Sequence, residues 1–124
     1  MPRTKIVKTA GAEIVSTDLT NMTTEDEVLE IIDDLQQIIA EREEPFCTLY
    51  DVSGTYATNA TIARGREYSK FVDSTGLSLG AAVVGVNSRS KRIIGNFLKP
   101  NLYFAKDMAD ALAHLTDKIK KHKT

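Results

Sequence analysis

The chain has 124 residues, 42% hydrophobic and 27% charged, with a formal net charge of -1, which is the composition of one compact globular domain over residues 1–124. These values exclude a mostly disordered chain, a collagen-like chain and a disulfide scaffold. The near-zero balance predicts no bulk attraction to nucleic acid or to an anionic membrane.

Ile6-Val7 and Glu13-Ile14-Val15 are β-branched runs on either side of Ala10-Gly11-Ala12. This arrangement predicts an N-terminal hairpin. Thr24-Glu25-Asp26-Glu27 reads as a capping box that opens a helix. Beyond it Val28, Ile31, Ile32, Leu35, Ile38 and Ile39 recur every three or four residues, with Glu30, Asp33, Asp34 and Gln36 outside the stripe. One helix with one buried face follows, and Pro45 marks its stop. Phe46 to Val52 is nearly continuously apolar, the mark of a parallel strand covered on both faces.

A second helix is predicted from Asn59 to Val72, with Ile62, Tyr68, Phe71 and Val72 inward and Gly65 weakening it. Leu79 to Val86 is a second buried strand. Asn87 or Ser88 then caps a short helix with Ile93, Ile94, Phe97 and Leu98 inward, ended by Pro100. Leu102-Tyr103-Phe104 is a brief strand. The last helix carries Met108, Leu112, Leu115 and Ile119 on one side, and residues 118–124 form a basic tail that frays. Alternation of this kind predicts a single-domain α/β fold: a mixed, mostly parallel sheet with an N-terminal hairpin and about four covering helices.

Cys47, the one cysteine, falls inside the Phe46–Tyr50 run and reads as a small buried strand residue. Arg3 and Lys5 near the N-terminus are followed by no apolar segment of signal-peptide type. The apolar run from Leu79 to Val86 is far short of the ~20 residues that span a bilayer. The expectation is a cytoplasmic protein with no transmembrane segment.

The two histidines, His114 and His122, have no partners at metal-ligand spacing, and no phosphate loop or dinucleotide fingerprint is present. No metal and no cofactor is expected. An enzyme built on Asp51 with Tyr56 or Arg89 finds no group to act as a tuned base. Charge is unevenly placed: residues 1–51 hold 4 Lys/Arg and 12 Asp/Glu, residues 52–124 hold 12 and 5. The acidic first helix is a match for Arg64, Arg66 and Lys70, within one chain or across a homodimer. At Asn87-Ser88-Arg89-Ser90-Lys91-Arg92, hydroxyls and cations converge where a helix starts after a buried strand, an arrangement suited to an anion. The loop from Asp51 to Thr55 follows the other central strand on the same sheet edge, where ligands of parallel sheets bind.

The strand ending Leu49-Tyr50-Asp51-Val52-Ser53-Gly54, the helix after it and the Ala/Val-rich strand resemble the SpoIIAA-like group, which includes STAS domains. The closing segment from Phe104 to Leu115 resembles the last helix of the STAS/SEC14-like branch, with His114 where that branch often has an aromatic. The resemblance spans residues 46–115 and implies a non-enzymatic binding or regulatory module that contacts an unidentified protein partner. Its site residues would be Asp51, Ser53, Thr55, Tyr56, Asn59, Thr61, Asn87, Ser88, Arg89, Ser90 and Arg92. The SEC14-like side implies the alternative, a carrier of a small anionic or lipid-like ligand, which a cavity beneath the basic helix start would favour.

Asp73-Ser74-Thr75-Gly76-Leu77 looks like the phosphoacceptor motif of anti-sigma-factor antagonists, but it leads into a strand. It reads instead as a helix-to-strand turn with Gly76 at positive φ. By order of elements, the family's acceptor position falls near Thr58, Asn59 or Thr61.

Overall fold

A computed structural model describes residues 3–9, 11–55, 58–86 and 102–123. In chain order they form β1 (Thr4–Thr9), β2 (Ala12–Asp18), α1 (Glu25–Ala40), β3 (Phe46–Asp51), α2 (Asn59–Ser74), β4 (Ser78–Val84), β5 (Leu102–Ala105) and α3 (Met108–Lys123). The five strands lie in the order β1-β2-β3-β4-β5. β1 runs antiparallel to β2, with Ile6 opposite Val15, and every later pair is parallel. The segments starting at Phe46 and Leu79 therefore lie side by side and point the same way. This is the single-domain, mostly parallel α/β sheet that the alternation of elements predicts.

Two apolar layers explain why β3 reads as a continuous hydrophobic run. Phe46 and Tyr50 point into a core with Val15, Val28, Ile32, Leu35, Ile39, Tyr68 and Val72, so α1 and α2 cover this face. Cys47 and Leu49 point the other way, into a core with Ile14, Ala82, Ala111, Leu115 and Ile119 beneath α3. A strand covered on both faces has no position left for an exposed polar side chain.

The α1 stripe is buried at Val28, Ile32, Leu35 and Ile39, with Ile31 and Ile38 packed at its margin. Its N-terminus differs in one detail from a reciprocal box. The Thr24 hydroxyl accepts the Glu27 N–H at 3.2 Å, while the Glu27 carboxylate accepts the Thr23 and Thr24 hydroxyls at 2.8 and 3.0 Å. Those two hydroxyls hold the Glu27 carboxyl below its usual range. The fully reciprocal capping box sits instead at α2, between Thr58 and Thr61. α2 runs on to Ser74 and buries Thr61, Tyr68 and Val72, with Phe71 packed against the core and Ile62 only half-buried. Thr61 takes the buried place because its hydroxyl caps the helix.

The inner face of α3 is also shifted. Ala111, Leu115 and Ile119 are buried, whereas Leu112 and Met108 are 41% and 38% exposed. Reading the face from large side chains selects Leu112. Close approach of the helix to the sheet selects Ala111, about 100° round the helix axis. At Gly80 of β4, an added Cβ would lie 3.4 Å from the Lys118 stem and 3.9 Å from Leu115. Small residues on both partners set this spacing.

Arg64 of α2 meets α1 within the chain, bonding the Asp33 carboxylate at 3.0 Å and the Gln36 side chain at 2.8 Å. The acidic and basic helices thus meet inside one molecule at this residue. Tyr50 and Tyr68 share a hydroxyl hydrogen bond of 2.7 Å in the same layer, and burial pushes the Tyr50 hydroxyl up to about 12. The predicted helix of residues 87–100 lies outside the described residues, among which three helices are present.

Cys47 is fully buried, and burial raises its thiol to about 11, against the opposing pull of the Lys118 ammonium. A thiol raised in the folded state is ionised first in the unfolded chain. Its share of stability is therefore complete below the ordinary thiol pKa near 9 and is lost as pH rises towards 11. Cys47 is expected to resist iodoacetamide at pH 8 and to react at the rate of unfolding. Alkylation of the native protein at the speed of a free thiol would contradict this burial.

Candidate functional site

β2, β3 and β4 deliver their carboxyl ends, Asp18, Asp51 and Val84, to one edge of the sheet. The segments leaving that edge are joined backbone to backbone. The Leu19 N–H donates to the Asp51 carbonyl at 2.8 Å, the Asn21 N–H to the Ser53 carbonyl at 2.9 Å, and the Val52 N–H to the Val84 carbonyl at 2.9 Å. The loops after β2 and β3 and the end of β4 are therefore one hydrogen-bonded surface.

Side chains complete it. Asp51 Oδ1 accepts the Ser53 N–H at 3.1 Å and its hydroxyl at 2.7 Å, an Asx turn that bends the chain out of β3. The Thr55 hydroxyl donates to the Leu19 carbonyl and accepts the Met22 N–H at 2.9 Å, which ties the β3–α2 loop to the β2–α1 loop. Gly54 and Gly85 have φ of +74° and +90°. A Cβ on Gly54 would meet the Asn21 amide oxygen, and one on Gly85 would lie 2.6 Å from the Ser53 nitrogen. Both positions need glycine for backbone conformation and for space.

At the start of α2 the Thr58 hydroxyl accepts the Thr61 N–H at 3.2 Å and donates to the Glu25 carboxylate of α1. The Thr61 hydroxyl accepts the Thr58 N–H at 2.8 Å. Asn59, in the first turn, is exposed. Thr58→Ala is expected to lower stability by ~1 kcal/mol in urea unfolding, the cost of a lost N-cap. Thr58→Asp keeps a capping oxygen but sets two carboxylates together. It is expected to be destabilising until Glu25→Gln is added, and no recovery in the double variant would contradict the Thr58–Glu25 bond.

Of the residues singled out from the sequence, Asp51, Ser53, Thr55, Asn59 and Thr61 are thus brought to one edge. The carboxylate and hydroxyls of Asp51, Ser53, Thr55 and Thr61 are engaged in holding loops and helix start in place. Tyr56, Asn87, Ser88, Arg89, Ser90 and Arg92 lie outside the described residues. Sequence reasoning missed Asn21 and Glu25, whose roles depend on which loops stand beside them. Gly85 carried a signal, a glycine directly after a buried strand.

Two other features lie away from this edge. The Asp73–Leu77 segment is the α2-to-β4 turn: the Ser74 and Thr75 hydroxyls donate to the Phe71 and Val72 carbonyls at 2.6 and 2.7 Å, and Gly76 has φ of +70°. It sits at the amino end of β4, across the sheet from the site. His114 of α3 stacks on Tyr103 with ring centroids 3.9 Å apart, and the Tyr103 hydroxyl donates to Asp110 at 2.9 Å. An open cleft of about 180 Å³ lies at the amino end of β2, lined by Lys8, Glu13, Glu41, Arg42, Glu43 and Glu44. Among the described residues, no group of three His, Cys, Asp or Glu is placed to hold a metal ion.

With this geometry in view, the fold is that of the SpoIIAA-like, or STAS, proteins. A Ser-to-Glu variant of RsbS from Moorella thermoacetica is similar at a TM-score of 0.67 and 16% identity, over 95% of this chain and 98% of that one. An anti-sigma-factor antagonist (STAS) domain protein from Planctomyces limnophilus is similar at a TM-score of 0.61 and 14% identity, over 90% and 97%. At such identities the likeness is one of fold. No protein-family model matches the chain, and no curated protein matches it by sequence. No helix among the described residues is long and apolar enough to cross a membrane.

Proposed function

We propose that the chain is a non-enzymatic, cytoplasmic binding and regulatory module that acts by protein–protein contact at the carboxyl edge of its sheet. The contact surface is the β3–α2 loop from Asp51 to Tyr56, the first turn of α2 around Asn59, and the segment carrying Asn87, Ser88, Arg89, Ser90 and Arg92. The observation that carries this reading is the internal locking of the edge. Asp51, Ser53, Thr55, Thr58 and Thr61 spend their polar groups on each other and on neighbouring loops. Such a surface is rigid and pre-organised, which lowers the cost of docking a partner. The hydroxyl–carboxylate pairs of the described edge, Ser53 with Asp51 and Thr58 with Glu25, hold a turn and a helix start. The Planctomyces limnophilus protein of this fold, an anti-sigma-factor antagonist, supports a regulatory role.

The test is a pull-down from native lysate, with mass spectrometry of proteins and small molecules alike. The wild-type chain is compared with Asn59→Arg and with Arg89→Ala/Arg92→Ala. A protein captured by the wild type and lost by the Asn59→Arg variant is the expected result. Capture of an anionic or lipid-like small molecule in place of any protein, lost on removing the arginines, would overturn it in favour of a carrier.

A further inference from the structure

β2 and β3 leave the sheet by the same turn. Asp18 Oδ1 accepts the Thr20 N–H at 2.9 Å and its hydroxyl at 2.6 Å, as Asp51 Oδ1 does with Ser53. The two aspartates are partners in the parallel ladder. The β2 turn also receives a cation from another segment. Arg3, directly before β1, is set beside it by the main-chain bond from the Asp18 N–H to the Arg3 carbonyl at 2.8 Å.

The Arg3 guanidinium lies closer to the main chain of this turn than to its carboxylate. Nη1 donates to the Asp18 carbonyl at 3.2 Å and to the Thr20 carbonyl at 3.4 Å, and stands 3.6 Å from Asp18 Oδ1. Each of these carbonyls belongs to a peptide group whose N–H is bonded on the opposite side. The Leu19 N–H, on the same peptide group as the Asp18 carbonyl, donates to the Asp51 carbonyl at 2.8 Å. The Asn21 N–H, on the same group as the Thr20 carbonyl, donates to the Ser53 carbonyl at 2.9 Å. Two peptide groups therefore stand between Arg3 and the exit of β3. The group between them is turned the other way, its carbonyl accepting the Thr55 hydroxyl and its N–H donating to Asp18 Oδ1.

A charged donor at the head of such a chain polarises the bonds along it. Arg3 thus strengthens the two bonds that join the β2–α1 loop to Asp51 and Ser53, where the β3–α2 loop begins. An ion pair with Asp18 alone would contribute little, because the two side chains are 39% and 57% exposed.

We propose that Arg3 is a positioning residue of the carboxyl-edge contact surface: through two peptide groups of the β2–α1 loop it fixes the start of the β3–α2 loop. The proposal rests on the reading of that edge as the contact surface, and Arg3 acts through the loops rather than by touching the partner.

The test is amide hydrogen exchange on the full chain, joined to the lysate pull-down. Arg3→Met keeps a long stem and the main-chain bond but removes the charge and the donors. Arg3→Lys keeps a cation, and Asp18→Asn removes the ion pair while leaving both carbonyls and an acceptor for Thr20. In Arg3→Met, exchange at Leu19 and Asn21 is expected to be at least about fivefold faster. Phe46, whose N–H is bonded to the Leu77 carbonyl at the other end of β3, is expected to change by no more than about twofold. Arg3→Lys is expected to restore the protection and Asp18→Asn to keep it. Capture of the protein partner is expected to fall at least about threefold with Arg3→Met and to return with Arg3→Lys.

Unchanged exchange at Leu19 and Asn21 in Arg3→Met would overturn the proposal. So would an equal rise at Phe46, which is a general loss of stability, or the same rise in Asp18→Asn, which assigns Arg3 to the ion pair alone. Capture by Arg3→Met at the wild-type level would also overturn it. If the wild type captures no protein, the contact reading of the edge falls, and the exchange rates by themselves decide whether Arg3 holds these loops.

Discussion

Gly85→Ala is expected to cost about 3 to 5 kcal/mol and to lower the melting temperature by roughly 10–20 °C. Two effects add at this residue. Its φ of +90° lies where side-chain-bearing residues are strained, and the new Cβ would lie 2.6 Å from the Ser53 nitrogen and 2.7 Å from its Cα. Backbone atoms cannot rotate away as a side chain does, so the strand end must separate from the β3–α2 loop. Gly76→Ala isolates the conformational part, because φ there is +70° but nothing stands within 4 Å of the added carbon. It is expected to cost only about 1 kcal/mol. Urea unfolding of the two variants checks the comparison, and equal losses would show that the close approach of Gly85 to Ser53 does not exist in solution. Partner binding at the carboxyl edge should fall with Gly85→Ala and persist with Gly76→Ala, because only the former disturbs the loops that meet there.

Phe46→Ala is expected to cost about 3 to 5 kcal/mol. Among the described residues Phe46 is the largest of the fully buried side chains, and it sits in the layer under α1 and α2. Its N–H is held by the Leu77 carbonyl at 3.0 Å, so the backbone has little freedom to close the cavity. The size of the loss tests the layer assignment, and a matched pair on α3 tests the shifted helix face. Leu115→Ala should cost about 2 to 5 kcal/mol. Leu112→Ala, at a residue 41% exposed, should stay within about 1 kcal/mol. Equal losses at Leu112 and Leu115 would restore the face read from the sequence alone.

Much of the architecture was legible from one-dimensional pattern. The period of α1, the unbroken apolar run of β3, the glycine turn between β1 and β2 and the positive-φ glycine after α2 each follow from local physics. Each needs nothing beyond its own neighbours in the chain. From the alternation of these elements the parallel sheet follows, and with it the resemblance that the solved structures bear out at the level of fold.

What failed locally is equally specific. The sequence pattern places Leu112 inside and passes over Ala111, because hydrophobicity rewards size while close packing of α3 on the sheet rewards its absence. The pattern gives Ile62 the place that Thr61 holds, because a capping hydroxyl can be buried once its hydrogen bonds are made.

The sequence by itself determined the described strands and helices and the direction of the central strands. Tertiary structure alone decided that Asn21 stands against Gly54, that Gly85 stands against Ser53, and that Glu25 receives the Thr58 hydroxyl. The physical reason is range. Periodicity and capping act over three or four residues, whereas these contacts join segments some thirty residues apart and arise only when crossovers bring separate loops to one edge.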